Sequence, residues 1–305
     1  MTRKKPNRNG LLKGVVCAVA ALTVANFTAA GTAVVNPPNI VLVLTDDQGW
    51  TDTSVQMLAA EPASKSDFYR TPALQRMAGE GMVFSNAYSP APTCTPSRGS
   101  IQFGKTPARL RQTVVHDVLA RSRGIDCRSE ISLPQMIKSA DPRYVTAHFG
   151  KWGFPPRRPE HAGYDVSDGN TNNGDGDWDC VKLRTPLPPD DPKRIFSLTR
   201  RANVFMEAQV KAERPFFMQL SHYALHVQHD ALEETAKRYG KLLRVKQSAP
   251  SDYGRRPASQ NTSMPRFAAM IENLDTGLGM LLDKVQELGI KDNTYGPFGK
   301  KCPMG

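Results

Sequence analysis

The chain is sparing with the residues that build dense metal or disulfide frameworks. It has five cysteines and six histidines in 305 residues, and no two cysteines stand at CxxC spacing. A cysteine-rich zinc module is thereby excluded. Aromatic residues make up only 8% of the chain, and none interleaves with a basic patch in the manner of a nucleic-acid-binding surface, so no nucleic-acid partner is expected. No internal repeat occurs, and no acidic residue precedes Asp46.

That first stretch concentrates positive charge instead. Arg3, Lys4, Lys5, Arg8 and Lys13 lead into an apolar run from about Gly14 to Ala33, rich in small residues. This is the pattern of a secretory signal peptide, with cleavage between Ala29 and Ala33. A retained membrane anchor is the alternative, because the run borders on a bilayer-spanning length, although Asn26, Thr28 and Thr32 weaken it as a span. Residues 1–33 are therefore expected to be a leader, and the protein to be exported, periplasmic or secreted. Setting the five leader cations aside lowers the formal charge from +11 to +6, which suits anionic substrates and equally suits simple solubility. With 39% hydrophobic residues the remaining chain can bury one large core. Cys17 falls in the leader, and Cys127, Cys180 and Cys302 allow three pairings that the sequence does not distinguish.

Residues 39–45, NIVLVLT, read as a buried parallel strand. Helical spacing after a Thr-Pro start predicts a helix over 71–81, and MVFSNAYS at 82–89 is strand-like. A short helix over 133–139, a strand ending near Lys151, a helix over 197–211, a strand from Pro215 and a long amphipathic helix over 264–289 follow. Strands alternating with helices indicate an α/β chain folded as a three-layer α/β/α sandwich. Residues 168–191 read as a solvated loop, because their acids fail the spacing of an EF-hand.

Chemistry concentrates at the ends of these strands. The first strand stops at Asp46 and Asp47; in open α/β sheets such ends carry ligands, and adjacent carboxylates are costly unless a hard cation such as calcium or magnesium compensates them. Residues 91–100 read APTCTPSRGS. On a helix starting at Cys94, Arg98 lies one turn away and Pro96 suits the first turn, whose N-terminus favours anions. Residues 144–153, YVTAHFGKWG, end in a Gly-Lys-Trp turn at Lys151, and 215–229, PFFMQLSHYALHVQH, carry His222, His226 and His229.

Together these segments resemble the formylglycine-dependent, arylsulfatase-like sulfatases of the alkaline-phosphatase-like superfamily, whose signature CxPSR is matched by CTPSR at 94–98. The resemblance implies that a formylglycine-generating or sulfatase-maturating enzyme oxidises Cys94 to 3-oxoalanine. One hydroxyl of the hydrated aldehyde would attack the sulfur of a sulfate ester, and the other would later expel sulfate. It also implies that Asp46, Asp47 and the modified Cys94 hold Ca2+ (or Mg2+), that Arg98 orients the nucleophile and that Lys151 grips the sulfate. His226, matching the histidine of an APH segment, would donate a proton to the departing alcohol of a sulfated small molecule or sulfated glycan. His222 and His229 have no counterpart and are expected in the loop around the site. One departure stands out: the family has a histidine after GKW, where this chain has Gly153. His148 precedes the turn and reads as a packed strand residue.

By the same resemblance, the segment after the long helix should enter another buried strand ending in an Asp-Asn pair that completes the metal site. A second sulfate-binding lysine and a smaller subdomain should follow. Residues 295–305 read YGPFGKKCPMG, from which no apolar strand is expected; Asp292 and Asn293 come before it, and neither Lys300 nor Lys301 has a matching context. The expectation for 34–305 is the N-terminal part of a sulfatase catalytic domain, incomplete at the C-terminus, with an unpaired sheet edge, poor folding and weak or absent turnover. Two other readings stand beside it: an inactive sulfatase-like protein that binds a sulfated ligand, and a formylglycine-dependent phosphate or phosphonate ester hydrolase.

Overall fold

The structure, a computed structural model, describes residues 36–115, 129–153, 158–169, 171, 188–226, 229–247, 264–296 and 298–300. The expected leader, most of the 168–191 loop, and Cys127, Cys180 and Cys302 lie outside the described residues. The chain divides at Asn36, and the fold below is that of the unit beginning at Pro37.

In chain order the elements are β1 (Asn39–Thr45), α1 (Pro72–Glu80), α2 (Cys94–Phe103), α3 (Pro107–Leu110) and α4 (Leu133–Ala140). Then come β2 (Val145–Gly150), β3 (Val166–Ser167), α5 (Ile195–Lys211), β4 (Phe216–Ser221), α6 (Glu233–Gln247), α7 (Met264–Glu287), β5 (Thr294–Tyr295) and β6 (Phe298–Lys300). The sheet runs β3-β2-β4-β1-β5, with β6 also on β1, and every pairing is parallel. Leu44 pairs with Ser221, and Ser221 with Gly150, so β1, β4 and β2 end level with one another.

Side-chain alternation sorts the strands into two faces. Val41, Val43, Ala147, Phe149, Phe216, Met218 and Leu220 pack with α5 and α7 through Leu198, Ala202, Phe205, Met206, Leu278 and Leu281. Ile40, Leu42 and Phe217 point the other way, against Phe103 of α2, Leu110 of α3, and Leu133 and Ile137 of α4. Helices cover both faces, which is the expected α/β/α sandwich.

The predicted helices form, with caps that explain their ends. Ser132 and Gln135 make a reciprocal capping box at the start of α4. Asp275 of α7 accepts hydrogen bonds from the amides of Ala73 (2.8 Å) and Leu74 (2.9 Å), capping α1 from a distant segment, and burial raises its carboxyl to about 6. α5 starts two residues before the expected Ser197, because Asp191 accepts from the amides of Phe196 and Ser197 across a turn in which Lys193 and Arg194 are left-handed.

Two expectations are corrected. Residues 82–89 form no strand, and Met82, Phe84 and Tyr88 are exposed; β-propensity needs a neighbouring strand to act on, and this segment has none among the described residues. Conversely, the tail expected to give no strand supplies β6 and the second residue of β5. Asn39 and Ile40 pair with Thr294 and Tyr295, and Val43 to Thr45 pair with Phe298 to Lys300. The flank of β1 away from β4 is thus covered, though by strands of only two and three residues.

Candidate active site

Four loops meet where β1, β4 and β2 end. The loop after β4 is tied to the loop after β1 by backbone hydrogen bonds: His222 N to Leu44 O (2.9 Å), Asp46 N to Ala224 O (2.9 Å) and Leu225 N to Asp46 O (2.5 Å). β2 is tied in by Lys151 N to Ser221 O (2.8 Å). This junction requires glycine at 150: φ is +88°, and a Cβ there would lie 2.0 Å from Ser221 O.

Asp46 is fully buried at the centre. Lys151 Nζ donates to its Oδ2, and Arg98 Nη2 lies 3.5 Å from its Oδ1. Burial holds the Lys151 ammonium below the usual lysine range; Asp46 opposes that shift, Arg98 reinforces it and Cys94 opposes it. Arg98 comes from α2, whose first residue is the buried thiol Cys94. Its Nη1 donates to Lys151 O (2.6 Å), while Nε and Nη2 are buried and have no hydrogen-bond acceptor. Buried guanidinium donors left in that state are costly unless an anion meets them. Thr95 Oγ1 donates to Gly153 O (2.9 Å), which locks the start of α2 to the turn after β2.

The position where the family histidine was expected is therefore beside the site. A Cβ on Gly153 would stand 3.6 Å from Lys151 Cε and 3.8 Å from Arg98 Cδ, and the φ of +70° favours glycine over any side chain. His148 does not substitute for it. Its Nε2 faces Ser221 Oγ (3.3 Å), its ring meets Trp152 and Tyr164 edge-on, and burial first, then Arg98, lowers it to about 3. His222, expected in the loop, is also buried; it borders a small internal cavity with Gln48, and burial lowers it to about 4. His229 lies against the Phe267 ring, with centroids 5.0 Å apart.

Among the described residues, Asp46, Asp47 and His226 could hold a cation, each offering one ligand atom within 4.8 Å of the others. Asp47 adopts a left-handed φ of +59°, which directs the chain sharply after β1. A divalent cation fits this set. His226, expected beside the leaving group, stands next to Asp47, its Nε2 3.9 Å from Asp47 Oδ2. Histidines spaced three or four residues apart carried no signal for this choice; the backbone ties between Asp46 and Ala224–Leu225 made it.

Comparison with known proteins gives first a class and then a family. The fold is shared with the solved structure of Ps i-CgsB in complex with k-i-k-neocarrahexaose, at a TM-score of 0.65 and 21% identity, over 87% of this chain and 58% of that one. The sulfatase family model matches residues 38–295, and the chain belongs to the sulfatase family. N-acetylgalactosamine-6-sulfatase of the dog is 29% identical over 303 residues, covering 90% of this chain and 51% of the relative. The human enzyme of that name is 30% identical over 271 residues, covering 85% and 48%. The chain spans about half the length of the curated relatives it matches.

Proposed function

We propose that the protein hydrolyses sulfate monoesters of sugars or small molecules, with residue 94 in the formylglycine form and a divalent cation held by Asp46 and Asp47. The observation that carries this reading is the convergence of two buried cations, Arg98 and Lys151, on one carboxylate beside Cys94, with Arg98 Nε and Nη2 lacking acceptors. A sulfate oxygen is a planar guanidinium's natural partner, and Lys151 adds a point charge to the same anion. When present, the formylglycine supplies a hydrated aldehyde hydroxyl as nucleophile, and the cation supplies Lewis-acid polarisation of the sulfate. The chain itself buries the anion site, orients residue 94 through the Thr95–Gly153 tie, and places two fixed positive charges where negative charge develops. Relatives named for a sulfated amino sugar support a sulfated glycan as substrate, and the basic, apolar leader supports action outside the cytoplasm.

A second reading, a binder of sulfated ligands without turnover, is favoured by Gly153, which leaves no imidazole between Lys151 and Arg98. One experiment separates these readings. The full chain is coexpressed with a formylglycine-generating enzyme and assayed with 4-nitrophenyl sulfate and 4-nitrophenyl phosphate, with and without chelator. Chelator-sensitive release from the sulfate alone is the expected result. Release from the phosphate in preference selects the phosphate-ester hydrolase. Saturable sulfate-ester binding without release selects the binder.

A further inference from the structure

We propose that Thr171 is a positioning residue for Lys151: it bonds the peptide units on either side of that lysine and so holds its ammonium at the buried anion site. The inference rests on the role given to Lys151 in the proposed function. It draws in a residue from the segment 168–191, which the sequence led us to expect as a solvated loop.

Three observations carry it. First, the turn after β2 contains little that fixes its own shape. Gly150 and Gly153 bracket Lys151 and Trp152, and both glycines are left-handed, with φ of +88° and +70°. Glycine has the most backbone freedom to lose, so the turn needs partners from outside. Lys151 is buried and reaches Asp46 from this turn.

Second, Thr171 supplies partners at three points. Its Oγ1 donates to Gly150 O (2.5 Å) and accepts from Trp152 N (3.0 Å), and its carbonyl accepts from Gly153 N (3.1 Å). The hydroxyl thus uses both its proton and a lone pair, one on each side of Lys151. Lys151 N and O are taken by Ser221 O and Arg98 Nη1, so Thr171 serves its neighbours.

Third, β3 delivers Thr171 to this place. Ala147 and His148 pair with Val166 and Ser167; Asp168 N then donates to His148 O (3.2 Å), and Asp168 Oδ2 accepts from Gly150 N (2.8 Å). Arg201 of α5 donates to the other Asp168 oxygen. The Asp168 side chain is 1% exposed, and Thr171 is buried to the same degree. A threonine in a solvated loop would bond water; this one bonds two peptide groups of the Lys151 turn.

Removing the hydroxyl takes that partner from Gly150 O and from Trp152 N–H, and buried peptide groups so treated draw the turn open toward water. Opening displaces Lys151, which lies between them, and with it the carbonyl that Arg98 Nη1 donates to. A misplacement of about 1 Å at such a group can cost about a hundredfold.

The test uses the full chain, coexpressed with a formylglycine-generating enzyme, supplied with Ca2+ and titrated with inorganic sulfate by calorimetry. Thr171→Val keeps the shape and removes the hydroxyl, and it should weaken sulfate by at least about tenfold. Thr171→Ser keeps both hydrogen bonds and should stay within about threefold of the unaltered chain. The same loss in Thr171→Ser as in Thr171→Val overturns the proposal, because the hydroxyl would then not be what matters. Sulfate held equally well by Thr171→Val overturns this inference alone. An unaltered chain that binds no sulfate overturns the proposed function and this inference with it.

A measurement on the unaltered chain covers the case in which the variants misfold. Sulfate bound through Lys151 selects the closed turn, so at a hundred times its dissociation constant it should slow hydrogen exchange of the Trp152 and Gly153 amides by at least about tenfold. The Leu74 amide, bonded to Asp275 and remote from the turn in sequence, is the reference and should keep its rate. Turn amides whose exchange sulfate leaves unchanged count decisively against the positioning role.

Discussion

The two flanks of β1 are built to different standards. On one side β4 pairs with it over five residues and leads on to β2; on the other, β5 and β6 contribute two and three residues. Asp46, Lys151 and His226 all stand at strand ends on the first side or in the loop leaving β1. The lesson is that the buried charge cluster of Asp46, Lys151 and Arg98 gathers where a continuous three-strand register, β1-β4-β2, ends, away from the thinly covered flank. The exposed 82–88 segment makes the same contrast, since its apolar side chains point at solvent while those of β4 are buried throughout.

The sharpest way to break this contrast is at the buried charge cluster. Asp46→Ala leaves Lys151 and Arg98 buried without their counter-charge, and the expected loss is about 3–5 kcal/mol in urea unfolding. A loss below about 1 kcal/mol would show that the cluster is not the anchor described.

Next in size is the junction between β2 and β4. Gly150→Ala drives a Cβ into Ser221 O and imposes a left-handed φ on alanine, so a loss of at least about 2 kcal/mol is expected. An unchanged thermal midpoint would count against the close approach.

The pH dependence is smaller and has a defined sign. His148 and His222 are lowered to about 3 and about 4, so between pH 6.5 and about 4 the unfolded chain takes up protons that the folded chain refuses. Stability from each is complete above pH 6.5 and falls by about 1.4 kcal/mol per pH unit as the medium acidifies. Asp168 and Asp275, raised to about 6 by burial, act oppositely between pH 4 and 6, because there the folded chain holds protons that the unfolded chain has released. The four contributions nearly cancel over that window. Asp168→Asn removes one opposing contribution and should steepen the acid loss by about 1.4 kcal/mol per pH unit in urea titrations at pH 4, 5 and 6. A slope no steeper than that of the unaltered chain would overturn the assignment.

The smallest effect is expected on the exposed segment. Phe84→Ser should change stability by no more than about 0.5 kcal/mol. A larger loss would mean that this segment contributes to the core after all.

Much of the fold was legible because its signals are local. Helices α1, α4, α5 and α7 follow from apolar residues at helical spacing, with Pro at the starts of α1, α4 and α7, and β1 and β4 from largely apolar runs. The failures share one cause. MVFSNAYS has strand propensity and no partner, while the tail has little propensity and a partner in the open flank of β1, so pairing overrode composition in both directions.

The site divides along the same line. Cys94 and Arg98 lie one helical turn apart, and the strand terminating in Asp46 and Asp47 is a matter of adjacent residues; both follow from sequence alone because a helix and a strand have fixed short-range geometry. Lys151 on Asp46, 105 positions away, and His226 beside Asp47 exist only once parallel strands are set in register. So does the left-handed backbone at Gly153, whose φ of +70° would strain a histidine there. Sequence determined which side chains are present; tertiary structure decided which of them meet, because that depends on distances of a few ångströms between strand ends that no local pattern encodes.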